Sequence, residues 1–444
     1  MQTTQSRLFR WQLLTVLLML LGYSGYYLCR SNFSVVLPLI ADELVRRGLS
    51  PEIARIRLGT IASLGVAAYA IGKFLAGAMA DYLGGRRNFL GGMVGSVLFT
   101  LFFSLCGGLP LFTLAWVGNR LVQSWGWAGM VKISSRWFSY QTYGTVMGII
   151  SLSFLFGDAA SRAFLAWLIG KGSGWRSIFV IAAATLFSLF LVNLVLLKET
   201  PKAIDELEPP ANPLAIVADQ ENRGSRADLW SILKPLFVDP SFWMVCILSF
   251  TFTLVRETFN LWTPTYFIQV VGLTQANAAR ESALFPLFGG LSVLLSGFLS
   301  DRLKQGGREI IIACGLLLAG AALFILGNIN FGNARTPIAL VTLVGFLTIG
   351  PYSYFAGAIA LDLGGKRGSA TTSGIIDGLG YLGGILAGDS IARLSIAYGW
   401  PGAFTTLAVV VWLSGIVAFF YRRQTLAKVA IQHIALEDQA RLGR

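Results

Sequence analysis

The stretch Gly77-Ala78-Met79-Ala80-Asp81-Tyr82-Leu83-Gly84-Gly85-Arg86-Arg87 closes one apolar run and opens the next, and its pattern returns about half a chain length later as Gly297-Phe298-Leu299-Ser300-Asp301-Arg302. In both places a glycine, an aspartate four residues on and then basic residues fill a short turn between apolar runs of roughly 20 residues, the length that crosses a bilayer core about 30 Å thick. The glycine lets two helices approach closely, and the charges of the turn can bridge helix ends across the two halves. A gating role is therefore expected for Gly77, Asp81, Arg86 and Arg87 in the first half and for Gly297, Asp301 and Arg302 in the second. A single loop of this composition could arise by chance; its return at the equivalent place argues for an internally repeated chain.

Outward from this repeat, apolar runs continue along nearly the whole sequence and give twelve expected spans, at 12–40, 56–80, 87–107, 110–134, 142–169, 176–197, 240–268, 280–302, 309–328, 336–361, 368–393 and 401–422. The chain is 55% hydrophobic and only 13% charged over 444 residues, more apolar surface than a soluble domain of ordinary composition can bury. Strand alternation is absent, which argues against a membrane barrel. The fold class expected is an all-α membrane protein of twelve transmembrane helices in two pseudo-symmetric six-helix bundles. Residues 198–239 interrupt the pattern with prolines and charges, as in Glu208-Pro209-Pro210-Ala211-Asn212-Pro213. The expected organisation is a first bundle over 1–197, a cytoplasmic linker over 198–239, a second bundle over 240–422 and a cytoplasmic tail over 423–444.

The formal charge of +13 does not point to nucleic acid, because the basic residues sit in short loops rather than on one continuous face. Arg7 and Arg10, Arg86 and Arg87, Lys132 and Arg136, Arg302, Lys304 and Arg308, Lys366 and Arg367, and Arg422 and Arg423 fall on one side of the expected topology. That side is cytoplasmic by the positive-inside rule, with both termini inside and a bacterial inner membrane as the expected location. Residues 41–57 conflict with this, carrying Arg46, Arg47, Arg55 and Arg57 on the outer side. Arg7 and Arg10 before an apolar run, with Leu28-Cys29 behind it, resemble a signal peptide or lipoprotein site, but the run is too long and Arg30 directly follows the cysteine.

Cys29, Cys106, Cys246 and Cys314 show no spacing for a disulfide staple or a metal, and the one histidine, His433, lies in the tail. No phosphate-binding glycine loop and no nucleophile with a histidine partner is present, so an enzyme, a metal site or a bound cofactor is not expected. The expected partners are a small anion and the lipid bilayer, with the chain acting as a monomer.

An ionisable residue at mid-bilayer costs at least about 2.5–3.5 kcal/mol, so each one requires a reason. Tyr23, Tyr27 and Arg30 share one helical face in the first span, Tyr69 and Lys73 lie four apart in the second, and Arg256 and Asn260 do so in the seventh. Arg30 and Arg256 occupy equivalent places in the two halves. Two guanidinium forks facing one another form a clamp for a tetrahedral oxyanion, and Lys73 adds a third charge, enough to balance a phosphate monoester dianion. The alternative is internal pairing of these cations with Glu257, Asp158 or Asp377. For the aromatic residues, packing is the alternative to ligand contact. Asp158 and Arg162, four apart, can pair with each other or with Arg120; Arg120-Leu121-Val122-Gln123-Ser124-Trp125-Gly126 resembles the span-4 motif of many proton-linked transporters, which implies proton coupling, and a structural arginine at a helix crossing is the alternative.

The repeated turn resembles the signature loop of the major facilitator superfamily over essentially the whole chain. Within it, Gly22-Tyr23-Ser24-Gly25-Tyr26-Tyr27-Leu28-Cys29-Arg30-Ser31-Asn32-Phe33 resembles the first helix of the organophosphate:phosphate antiporters, the family of glycerol-3-phosphate and hexose-phosphate carriers. Tyr69-Ala70-Ile71-Gly72-Lys73-Phe74 is similar to their second helix, Gly126-Trp127 to their fourth, Arg256 with Trp262-Thr263-Pro264-Thr265-Tyr266 to their seventh, and Gly380-Tyr381-Leu382-Gly383-Gly384 to their eleventh. The resemblance implies exchange of a phosphorylated metabolite for inorganic phosphate, with Arg30 and Arg256 on the phosphoryl group and Tyr23, Tyr27, Tyr69, Lys73, Trp127 and Tyr381 lining the cavity. Phe154 stands where glycerol-3-phosphate carriers have a histidine, and Ile349 where they have a tyrosine. Asp377 is similar to the sugar-phosphate exchanger and sensor branches, so a larger polar cargo that bonds Asp377 or Asp158 is expected. Two other readings stay open: a proton- or sodium-coupled carboxylate symporter, against which Lys73 and Arg256 argue, and a transporter-like sugar-phosphate sensor.

Overall fold

The computed structural model describes residues 2–209, 234–303 and 306–442. Residues 210–233 of the expected linker and Lys304 lie outside the described residues, as do the side chains of Asp81, Asp301, Lys366, Arg367 and His433. The first six spans are single helices: α1 (Gln2–Arg46), α2 (Pro51–Leu83), α3 (Gly85–Leu105), α4 (Leu109–Trp137), α5 (Tyr140–Gly170) and α6 (Trp175–Leu196). They are followed by α7 (Pro240–Gln269), α8 (Gln275–Ser282), α9 (Leu284–Arg302), α10 (Gly307–Asn328), α11 (Arg335–Tyr352), α12 (Ala360–Leu386), α13 (Asp389–Ala397) and α14 (Gly399–Leu442). Pairs α8/α9 and α12/α13 each make one broken span. Among the described residues, 11 helical spans are long and apolar enough to cross a membrane. The twelfth, α4, has 29 residues and carries Arg120, Lys132 and Arg136. Large apolar side chains such as Leu98, Trp167 and Leu317 stand more than half exposed on helix faces, as a surface solvated by lipid requires.

Two boundaries differ from the sequence reading. The gap expected between the spans 336–361 and 368–393 lies inside α12. The tenth span, Arg335–Ile359, is itself irregular: Pro351 offers no N–H for the helix ladder, Ser353 N and Tyr354 N fall back on the carbonyls of Gly350 and Pro351, and a π turn over Phe355–Ile359 follows. The eighth span likewise begins at Gln275, where the Thr274 hydroxyl accepts from Asn277 N at 3.3 Å and caps the helix. The tail runs on from the last span as one helix, Gly399–Leu442, 44 residues long.

The described chain forms two compact units, and α7, α9 and α12 contribute to both. Unit 1 holds α1–α6 together with Glu257–Leu287 and Ile385–Ala397. Its core is built from Met19, Tyr23, Tyr26, Phe89, Met93 and Trp137, all buried, and the Tyr26 hydroxyl donates to Phe89 O at 2.6 Å. One residue separates α2 from α3, Gly84 with φ 91°, a left-handed conformation that favours glycine. The start of α3 is capped from outside the helix: the Glu199 carboxylate accepts from Gly85 N at 2.8 Å and Arg86 N at 2.6 Å. Glu199→Ala is expected to cost about 1–3 kcal/mol, since two charge-assisted bonds at a helix N-terminus are lost; thermal unfolding in detergent, set against Glu199→Gln as the milder change, checks it.

At the far end of unit 1, where α1 finishes and α2 begins, α13 packs on α2 through glycines. A Cβ on Gly59 would lie 2.8 Å from Gly388 O, so the two backbones touch. Thr60 Oγ1 donates to Asp389 Oδ1 at 2.7 Å, Asp389 N to Ser63 Oγ at 2.9 Å, and Ser63 Oγ to Ile385 O. Two of the four arginines of residues 41–57 are employed here: Arg55 donates to Gln269 Oε1 at 2.8 Å and Ser395 Oγ at 3.2 Å, and Arg47 pairs with Glu43. Unit 2, Gln220–Arg256, Phe288–Gly384 and Tyr398–Arg444, packs α10 against α11 and α14.

Candidate functional site

In unit 1 the expected ligand residues gather around one aromatic ring. Helical periodicity puts Tyr23, Tyr27 and Arg30 on one face of α1, and the Arg30 guanidinium carbon lies 5.3 Å from the Tyr27 ring centre and 4.7 Å from that of Tyr69 on α2. Lys73, one turn after Tyr69, brings its ammonium to 5.5 Å from the same ring, and Arg120 of α4 comes to 4.6 Å. Tyr23 packs against Tyr27 and against Trp127 of α4, at centroid distances of 5.7 and 5.9 Å, and Phe154 of α5 closes the set at 6.5 Å from Trp127. Tyr69 and Arg120 are buried, whereas Arg30, Lys73, Tyr27 and Trp127 are half-buried. Arg30 and Arg120 share a ring and are therefore at most about 9 Å apart, where like charges repel by roughly 2 kcal/mol at an effective dielectric of about 20. The face of Tyr69 offsets about 0.5–2 kcal/mol of that for each cation. An anion placed among the three is attracted by all of them.

In unit 2, Arg256 of α7 lies over the Tyr352 ring of α11 at 4.4 Å, and the Tyr352 hydroxyl donates to Asp377 Oδ1 of α12 at 2.9 Å. Tyr381, one turn beyond Asp377, is buried. Glycines on α12 bring it close to α7: a Cβ on Gly380 would lie 3.1 Å from Thr253 Oγ1. Tyr352 was not among the residues singled out in the sequence. The signal available was its place directly after Gly350-Pro351, where the helix ends and a side chain is freed from the helical face. Tyr352→Phe is expected to weaken binding of an oxyanion such as inorganic phosphate severalfold, because the hydroxyl holds Asp377 in place beside Arg256; thermal shift in detergent checks it.

Asp158 and Arg162 pair with each other on α5, Nε to Oδ1 at 3.1 Å, and both are buried. Asp158 also accepts from the Ser31 hydroxyl of α1. Asn260, expected to face the ligand through its side chain, takes part through its backbone: its carbonyl accepts from Arg162 Nη2 at 2.8 Å and Ser34 Oγ at 2.6 Å. Pro264, four residues on, has no N–H to return to that carbonyl, which is why it is available. Glu257 is buried in unit 1, one residue after the point where α7 passes from unit 2. Of the expected gating residues, Arg86 donates through Nε to Leu197 O and through Nη2 to Leu194 O, both at 2.6 Å, and so binds the end of α6. Arg87 is exposed, Arg302 lies over Phe298 at 4.4 Å, and Gly297 has open space around it.

The model of the Major Facilitator Superfamily matches residues 19–388. The chain belongs to that superfamily. It is a multi-pass membrane protein with the twelve-helix all-α fold of these transporters. A probable hexose phosphate transport protein of Chlamydia trachomatis is 25% identical over 411 residues, covering 89% of this chain and 88% of the relative. The membrane sensor protein UhpC of Escherichia coli is 25% identical, covering 94% and 93%. The glycerol-3-phosphate transporter of Bacillus subtilis is 24% identical, covering 87% of each. The names of these relatives match the organophosphate:phosphate antiporter family that the motifs of the first and second spans resemble. Among solved structures, a bacterial homologue of the human lysosomal transporter Spinster, inward-facing and unoccupied, matches with a TM-score of 0.75 at 15% identity over 94% of this chain and 98% of that one, a likeness of fold.

Proposed function

We propose that this chain exchanges a phosphorylated metabolite, a sugar phosphate or similar organophosphate, for inorganic phosphate by alternating access. The observation that carries the reading is the gathering of Arg30, Lys73 and Arg120 around Tyr69. Arg256, held over Tyr352 in the equivalent span of the second half, supplies the other arm of the clamp. Each guanidinium gives two parallel charge-assisted bonds to phosphoryl oxygens, and Lys73 adds a point charge. Loading draws the arginines together and favours closure; without an anion the cations repel, which holds the empty carrier back and obliges phosphate to return on the opposite leg. Asp377, within reach of Tyr352, suits the hydroxyls of a sugar. In this reading the termini are cytoplasmic, the far end of unit 1 faces outward, and the carrier is a monomer in a bacterial inner membrane.

Exchange of labelled phosphate across proteoliposomes without an ion gradient tests the proposal. Trans phosphate is expected to accelerate uptake of labelled phosphate many-fold; uptake that needs a proton or sodium gradient instead points to an anion symporter. A sensor is the second reading, favoured by the match to UhpC across nearly the full length of both chains. It predicts binding of sugar phosphate with no exchange at all.

A further inference from the structure

The buried pair Asp158–Arg162 takes no part in the phosphoryl clamp, and we infer that it is a latch coupling the Arg30 face of α1 to the far end of unit 1. The inference rests on the alternating-access reading. Arg162 reaches two other elements: held by Asp158 on its own helix, it donates through Nη2 to Asn260 O of α7 at 2.8 Å and through Nη1 to Ser282 Oγ of α8 at 3.2 Å. Asp158 in turn accepts from Ser31 of α1, the residue directly after Arg30. Ser34, one turn on, donates to the same Asn260 carbonyl at 2.6 Å and to Leu261 O at 2.9 Å. One guanidinium thus joins α5, α7 and α8, and the carboxylate that orients it bonds to α1.

An ion pair needed only for packing could be replaced by apolar residues at little cost, since burial of both charges offsets most of their attraction. Here the fork of Arg162 is instead committed to a carbonyl that Pro264 leaves without its helical donor. Breaking that contact strands a buried acceptor and a buried cation together, so the arrangement has two discrete states rather than a continuum. An anion that draws Arg30 toward itself shifts Ser31, lengthens its bond to Asp158 and loosens the carboxylate that orients Arg162. By linkage, removal of the latch must then strengthen phosphate binding, because the ligand no longer works against it. A role confined to stability predicts no such gain.

Hydrogen–deuterium exchange of the full chain in lipid nanodiscs, with and without inorganic phosphate, tests this. In Arg162→Met, peptides within 257–282 and 385–397 are expected to exchange about tenfold faster than in the unaltered chain, the factor that about 1.4 kcal/mol represents. The apparent Kd for inorganic phosphate, from thermal shift, is expected to fall severalfold. Pro264→Ala, which returns an N–H to Asn260 O and competes with Arg162, should move both readouts in the same direction and serves if Arg162→Met does not fold. Unchanged exchange in these peptides, acceleration spread evenly over the chain, or weaker phosphate binding in both variants would overturn the latch. Failure of the unaltered chain to bind phosphate would instead remove the proposed exchange; the comparison of exchange rates without phosphate still decides whether Arg162 holds the far end closed.

Discussion

Arg256→Lys is expected to slow phosphate self-exchange in proteoliposomes about a hundredfold while the protein still folds and purifies. Lysine keeps the charge but gives up the planar fork, and with it one of the two parallel bonds to the phosphoryl group that the proposed clamp requires. A charge-assisted hydrogen bond contributes about 1.5–3 kcal/mol, and loss of the stack on Tyr352 adds about 0.5–2 kcal/mol, so a factor of about 100 is in range at 1.4 kcal/mol for each tenfold. Arg256 stands 4.4 Å from the Tyr352 ring, a contact that orients a guanidinium flat and does little to orient an ammonium. Labelled-phosphate uptake by the two proteins, reconstituted at equal density, is the measurement. Equal rates would mean that the span-7 cation acts only through its charge.

Gly59→Ala is expected to reduce exchange at least about tenfold by a different route, leaving the charged site intact. The added methyl would sit 2.8 Å from Gly388 O and 3.1 Å from Ala392 Cβ, and the first of these partners is backbone that cannot rotate away. To accommodate it α2 and α13 must separate, which lengthens the bonds that Thr60 and Ser63 make to Asp389. Overpacking of a close contact costs about 1–3 kcal/mol, and here the cost falls on the state in which this end is closed. The variant should therefore bind phosphate at least as tightly as the unaltered chain yet cycle slowly, with kcat falling and KM not rising. Thiol-specific labelling of a cysteine introduced at Ile53, exposed beside the seal, should become faster.

The apolar runs and the repeated Gly-x3-Asp turn were enough to read the membrane class, the twelve spans and the superfamily, because a span of lipid-crossing length is a property of composition alone. The charged residues of the first, second and seventh spans were also legible, since burying a cation in a bilayer is costly wherever the neighbours lie. What periodicity could not reveal was which partners those cations would choose. Arg120 was read as a coupling or crossing residue, yet it shares the Tyr69 ring with Arg30 and Lys73. Asn260 was read by its side chain, whereas its carbonyl does the bonding. The clue was present, because a proline at 264 always vacates the carbonyl four residues earlier, but only the packing of α1 and α5 against α7 tells what fills it. Likewise the helix runs on through the gap expected between the tenth and eleventh spans, while Pro351, whose missing N–H interrupts the ladder, disturbs the tenth span from within.

Equilibrium binding of inorganic phosphate to the unaltered chain, Arg30→Lys, Arg256→Lys and the double variant tests the shared clamp most directly. If one phosphoryl group bridges both guanidiniums, each single change breaks the bridge, and the double variant binds little worse than either single one. Losses that simply add, or a single variant that binds as tightly as the unaltered chain, would contradict a site built from both halves.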